Sequence, residues 1–205
     1  MQQITKLCAD NLRALSDNHG VKLKASHAHE LVASYFGYKS RAALLADTQY
    51  PLSNLHQSSI ITLGPLAPLD MRRTSLQDLP PELPDTNTLR EWFYLGLLGE
   101  KWFASKFWPN YEKLATFLAD EYLRENRMEK VYRSPVGEGL KVERGEDSMR
   151  LIVLRFYQIP TEKIMLDGSI YVHEANITTT IQLQRMAGYI GYAKPEISVQ
   201  IERLK

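Results

Sequence analysis

KASHAHELVASYFGYKSRAALLAD, from Lys24 to Asp47, spells two helices around a tight turn. Ala28, Leu31, Val32, Tyr35 and Phe36 recur at three- and four-residue steps, which places them on one helical face. Ser26 is a natural N-cap, because a serine hydroxyl accepts one of the orphan N–H groups of a first turn. Gly37 follows at once, and glycine takes the left-handed conformation that ends many helices without a side-chain clash. Ser40 can cap a second, short helix whose apolar side is Ala43, Leu44 and Ala46.

Two helices joined by a few residues containing glycine also describe a DNA-binding helix-turn-helix. On that reading Lys22, Lys24, Lys39 and Arg41 would contact phosphates, and Arg41 would reach a base. A recognition helix needs polar side chains reaching base edges. After Arg41 this one offers Ala-Ala-Leu-Leu-Ala-Asp. The preferred reading is therefore a helical hairpin that closes a small helical module.

The segment resembles a short helical module of bacterial proteins, often from plasmid or mobile-element neighbourhoods, that is also attached to some glyoxalase-superfamily-related proteins. Ser26, His27, Glu30, Leu31, Gly37, Tyr38 and Ala43-Leu44 carry the resemblance. It implies no established activity and brings no catalytic residue onto this chain.

Upstream, Ile4, Leu7, Cys8, Leu12 and Leu15 form the stripe of a first helix over residues 3–18, stopped by Asn18-His19-Gly20. Three helices in the first fifty residues make a small core. The module is expected to dock on the rest of the chain or on a partner. Cys8 lies on the apolar stripe and reads as a buried structural thiol.

Downstream, residues 51–87 hold six of the ten prolines: Pro51, Pro65, Pro68, Pro80, Pro81 and Pro84. Proline fixes φ and removes a donor, which argues against long helices here and predicts an extended connection with one short strand near Ser59–Leu63. Its many leucines predict that packing orders it. Arg72-Arg73 within it are candidate anion or partner contacts.

Residues 88–130 turn helical. Thr88 and Glu91 have capping-box spacing, and Gly96 and Gly99 close that helix. Asn110 caps another helix, whose stripe is Tyr111, Leu114, Ala115, Leu118 and Tyr122. The aromatics from Trp92 to Tyr111 include few interleaved cations, so a core knot is preferred over a base-stacking strip.

From Val131 the period changes to two. Arg150–Gln158 is apolar on both faces, as a central strand is. In Ser169–Gln184 the apolar residues switch phase, which predicts a bulge near His173–Asn176. Thr178, Thr180, Gln182, Gln184, Ser198 and Gln200 share one polar, uncharged face. The expected fold class is α+β. It comprises a three-helix module (1–50), the proline-rich connection (51–87) and an α+β domain (88–205). In that domain helices 88–98 and 110–126 pack on a mostly antiparallel sheet of about four or five strands within 131–204.

Composition excludes several functions. The net charge is +1, from 25 basic and 24 acidic residues, whereas a non-specific nucleic-acid binder carries a basic excess. A single cysteine forms no disulfide within the chain, and neither a secretory core nor a membrane-length apolar run is present. A cytoplasmic protein is expected. His27 and His29 are two apart and cannot share a metal on a helix. P-loop, Gly-x-Ser-x-Gly and Cys-x-x-Cys patterns are missing. No catalytic, cofactor or metal residue is assigned. The residues point to a non-enzymatic interaction protein with a protein partner. A nucleic-acid-binding regulator using the 26–47 hairpin is the alternative. An enzyme with a pocket between the aromatic helices and the sheet is the third reading.

Overall fold

The computed structural model describes residues 2–128, 135–164 and 170–204. Expected strand residues 131–134 lie outside these. Among the described residues there are seven α-helices, one 3-10 helix (Leu52–Gln57) and seven strands, and every strand pairing there is antiparallel except β1 with β2. That strand count exceeds the expected four or five. The extra strands are pairs and triplets of residues, too short to show a two-residue period.

The chain forms two compact units. The first comprises the residues up to Pro109 together with Arg185–Lys194. It holds α1 (Gln2–Asn18), α2 (Ala25–Tyr35), α3 (Arg41–Ala46), α4 (Leu66–Ser75), α5 (Thr86–Leu97) and α6 (Lys101–Ala104). Its small sheet is β2 (Phe107–Trp108), β1 (Ile60–Thr62) and β6 (Gly191–Tyr192), with β6 pairing the last residues of β5 (Ile170–Ala187). The second unit comprises Asn110–Gln184 and the residues from Pro195. There α7 (Tyr111–Glu125) packs on β3 (Gly137–Arg144), β4 (Ser148–Ile164), β5 and β7 (Glu196–Leu204), in the order β3-β4-β5-β7.

The division therefore falls at Pro109/Asn110, and the helix expected to open the C-terminal domain belongs to the first unit. Its packing explains why. Leu89, Phe93 and Leu97 of α5 share one core with Leu12 of α1, Leu31, Tyr35 and Phe36 of α2, and Leu69 of α4. Tyr35 and Phe93 rings meet at 4.8 Å. Gly96, expected to close α5, lies inside it where α1 crosses. There Asn11 Nδ2 donates to the Gly96 carbonyl (3.0 Å), and a Cβ on Gly96 would stand 2.9 Å from that nitrogen. Tyr94, Phe103 and Phe107 stack within the same unit, so these aromatics are core.

Local differences from the expectations have local causes. α2 begins at Ala25 with Lys24 as its uncapped N-terminus, one residue before the expected Ser26 cap. α5 is capped by the Asp85 carboxylate accepting from Thr88 N (2.8 Å), so Thr88 lies in the first turn rather than at the cap. The largest change is α4, ten helical residues inside the proline-rich segment. Pro65 is its N-cap and Pro68 its third residue. The first four N–H groups of a helix have no internal acceptor, so proline costs nothing there. The bulge expected at His173–Asn176 is absent, because pairing runs unbroken from Gln184 to Val172. Irregularities lie between Pro160 and Ile164 on β4, opposite Val172 and Ile170, and between Arg185 and Ala187 on β5 against β6.

Cys8 is buried on α1, as its stripe predicts. Burial pushes its thiol from 9.0 up to about 12. At pH 8 that cuts the thiolate fraction by roughly a thousandfold. Aromatic disulfide reagents are expected to label Cys8 only after urea unfolding. Prompt labelling of the native protein would contradict its place in the core.

Candidate functional site

The α2 face that reads as apolar turns Leu31, Val32, Tyr35 and Phe36 into the core. Gly37 (φ +89°) then reverses the chain, and the Ser40 hydroxyl caps α3 by accepting from Ala43 N (3.1 Å). α3 consequently stands beside α1. Between them lies a cleft of about 240 Å³ lined by Thr5, Lys6 and Asp10 of α1, His29 and Val32 of α2, and Arg41, Leu44 and Leu45 of α3.

Both ends of α3 are anchored. At its start Glu30 accepts from the Arg41 backbone N–H (3.1 Å) and from the Arg72 guanidinium (2.6 Å). At its end Asp47 accepts from the Gln49 and Tyr50 N–H groups and from the Tyr38 hydroxyl. The Arg185 guanidinium lies 3.7 Å from Asp47, over the rings of Tyr50 and Tyr189. Burial works to raise the Asp47 pKa. The Tyr38 and backbone hydrogen bonds and the Arg185 charge outweigh it, and the carboxyl is held below its ordinary value. Burial, followed by the bond to Asp47, pushes Tyr38 up.

No residue of α3 is fully buried, and only Leu44 packs against the core. Leu44 is half-buried and Leu45 is 60% exposed. The polar rim of the cleft is Lys6, Arg41, Asp10 and His29. Burial lowers the His29 pKa below 6.5, Arg41 and Arg13 lower it further, and Asp10 and Glu30 oppose them. His29 is therefore neutral at pH 7. The unfolded state binds more protons as pH falls through 6.5, so stability is lost progressively down to the lowered folded value. A His29→Gln variant is expected to lose less stability than the parent between pH 7 and pH 5. An identical decline in urea titrations would exclude this histidine as the cause.

The four cations read from the sequence flank α2 in two pairs. Lys22 and Lys24 stand before α2, and Lys24 lies 3.4 Å from Asp78. Lys39 and Arg41 stand after it, and the eleven residues of α2 between the pairs span about 16 Å along the helix axis. Only Arg41 lines the cleft. Arg72 bonds to Glu30, and the Arg73 guanidinium donates to the Leu83 carbonyl (2.6 Å). Both arginines thus hold the fold together.

Sequence reasoning missed Thr5, Lys6, Asp10, His29 and Leu45 as cleft residues. The i,i+4 pair Lys6 and Asp10 marks one side of α1, but no local pattern says that α3 stands against it. Among the described residues no group of three or more His, Cys, Asp or Glu side chains could hold a metal ion, and no helix is long and apolar enough to cross a membrane. No protein-family model, curated protein or solved structure matches the chain.

Proposed function

We propose that this is a non-enzymatic interaction protein whose α1–α3 cleft receives an acidic, leucine-bearing segment of another protein. The observation carrying this reading is α3. Five of its six residues are alanine or leucine, yet only Leu44 is partly buried and Leu45 is 60% exposed. A soluble chain gains nothing from an apolar helix held in water, whereas a partner's apolar anchor can cover it. Leu44 and Leu45 offer the apolar contact. Lys6 and Arg41 outweigh Asp10 beside a neutral His29, which favours an acidic segment.

Panning a displayed random-peptide library against the intact protein tests the reading. Enriched peptides are expected to carry Asp or Glu within a helical turn of Leu or Phe. Their binding should fall at least about tenfold on Lys6→Ala with Arg41→Ala, since charge-assisted contacts are each worth a kcal/mol or more. Lys113→Ala on α7 serves as the control. No enrichment, or enrichment indifferent to the cleft substitutions, would refute it.

A nucleic-acid reading retains one supporting observation. Among the described residues Lys39 and Arg41 have no ion-pair partner. It predicts anisotropy changes with labelled duplex DNA that weaken steeply with salt and vanish on Lys39→Ala with Arg41→Ala. The peptide reading predicts none at physiological salt.

A further inference from the structure

In the second unit β4 alternates without interruption. Met149, Leu151, Val153, Arg155 and Tyr157 are buried on the α7 side. Ile152, Leu154 and Phe156 point the other way, and Leu154 is 49% exposed. Register explains why this strip is bare. On one flank Leu154 and Phe156 pair with Gly139 and Gly137 of β3, which carry no side chain to lean over them. On the other flank Leu154 pairs with Thr178 and Ile152 with Thr180. These in turn pair with Gln200 and Ser198 of β7. An apolar strip thus runs down the middle of a face whose neighbouring positions are glycine, threonine, serine, asparagine and glutamine, with Lys141 of β3 opposite Ile152.

Charge on this face is carried by the outer strands and the sheet ends: Lys141 and Glu143 of β3, Arg150 of β4, Glu174 of β5, and Glu196 and Glu202 of β7. Glu143 of β3 is paired with Lys141 (2.7 Å) and with Arg150 (3.2 Å). A foreign partner selected by charge finds no handle at the centre. A second copy of the chain needs none. About a two-fold axis each copy presents the same patch to itself, so a central charge would meet its like, and a neutral centre avoids that. Packed sheets sit about 10 Å apart with interdigitated apolar side chains, which the strip supplies. The size also suits a dimer. Four strands about 4.8 Å apart and about eight residues long at 3.3 Å give a projected face of roughly 500 Å². Side-chain relief raises the accessible area toward the roughly 800 Å² per partner of stable interfaces.

We propose that the open face of the β3-β4-β5-β7 sheet is a homodimer interface in which the Ile152–Leu154–Phe156 strips of two copies pack together. It is independent of the α1–α3 cleft, so either reading can fail alone.

The test is sedimentation equilibrium of the full chain up to about 0.1 mM, where an interface of micromolar Kd is largely assembled. The parent is expected at twice 23.6 kDa. Leu154→Glu and, separately, Thr178→Lys are expected to raise the dimer Kd at least about a hundredfold, because like charges then meet at the centre. The far-UV CD of each should be unchanged, since both positions face solvent. Mixing Leu154→Glu protein with Leu154→Lys protein should restore a dimer. A monomeric parent at the highest concentration overturns the proposal. So does a dimer that survives both single substitutions, which would place the interface elsewhere. An adduct with another protein on this face and a monomeric parent would do the same.

Discussion

Gly37→Ala is expected to destabilise the first unit by about 2–5 kcal/mol, from a left-handed backbone term of about 1–2 and an overpacking term of about 1–3. Its φ is +89°, where a Cβ strains the backbone. That Cβ would also sit 2.3–2.6 Å from Cδ2, Cγ and Cβ of Tyr189. The tyrosine cannot swing away cheaply. Its backbone N–H donates to the Phe36 carbonyl (2.9 Å), and its ring lies against the Arg185 guanidinium. Gly20→Ala is the internal comparison. Its φ is +76°, but nothing stands within 4 Å of the added carbon, so only the backbone term remains, about 1 kcal/mol. Thermal melting should show Gly37→Ala lower than Gly20→Ala by roughly 4–15 °C. Equal shifts would mean that Tyr189 does not press on the turn. The same variant should weaken peptide capture at the α1–α3 cleft, because the turn sets where α3 stands.

Removing both carboxylates that face Arg155 is expected to cost about 3–5 kcal/mol, far more than removing either one. Arg155 points to the α7 side of β4 with its side chain 3% exposed. Burial there opposes a charged guanidinium. The hydrogen bond it donates to Asp120, together with the charges of Asp120 and Glu138, outweighs that, and the net direction is upward. Asp120 lies 2.6 Å away and is 61% exposed, and Glu138 lies 3.2 Å away and is 33% exposed. Either acid alone still neutralises the buried cation. Asp120→Ala should therefore cost only about 1 kcal/mol or less, as for a solvated pair. Asp120→Ala with Glu138→Ala leaves a buried charge uncompensated. Adding Arg155→Leu to that double variant should recover most of the loss, since an apolar side chain needs no partner. Urea unfolding of the parent, Asp120→Ala, Glu138→Ala, the double variant and the triple variant forms the test. Simple additivity of the two acid substitutions would mean that the guanidinium escapes to water.

Periodicity and punctuation read directly from the chain determined α1, the α2–Gly37–α3 hairpin, the Asn110 cap of α7 and the two-faced apolar pattern of β4. Each depends on residues within a turn or two of one another, where propensity and side-chain spacing decide. The polar face of Thr178, Thr180 and Gln200 was legible for the same reason. Arg155 carried a readable signal too: it falls in phase with Leu151, Val153 and Tyr157, so a two-residue period alone turns it inward.

Other features needed the tertiary structure. α4 forms because both of its prolines fall where a helix needs no donor, a matter of one residue's offset that composition hides. The small sheet of the first unit joins β1 to β6, more than a hundred residues apart, through strands too short to announce themselves. α5 joins the N-terminal helices because Asn11 meets Gly96, a complementarity of shape and hydrogen bonding between segments that no local pattern links. The cleft is the clearest case. Lys6, His29 and Arg41 each look like ordinary surface residues, and only the angle imposed by Gly37, Glu30 and Asp47 brings them to one rim. Short-range sterics and hydrogen bonding made the elements, and long-range packing chose which faces were left open.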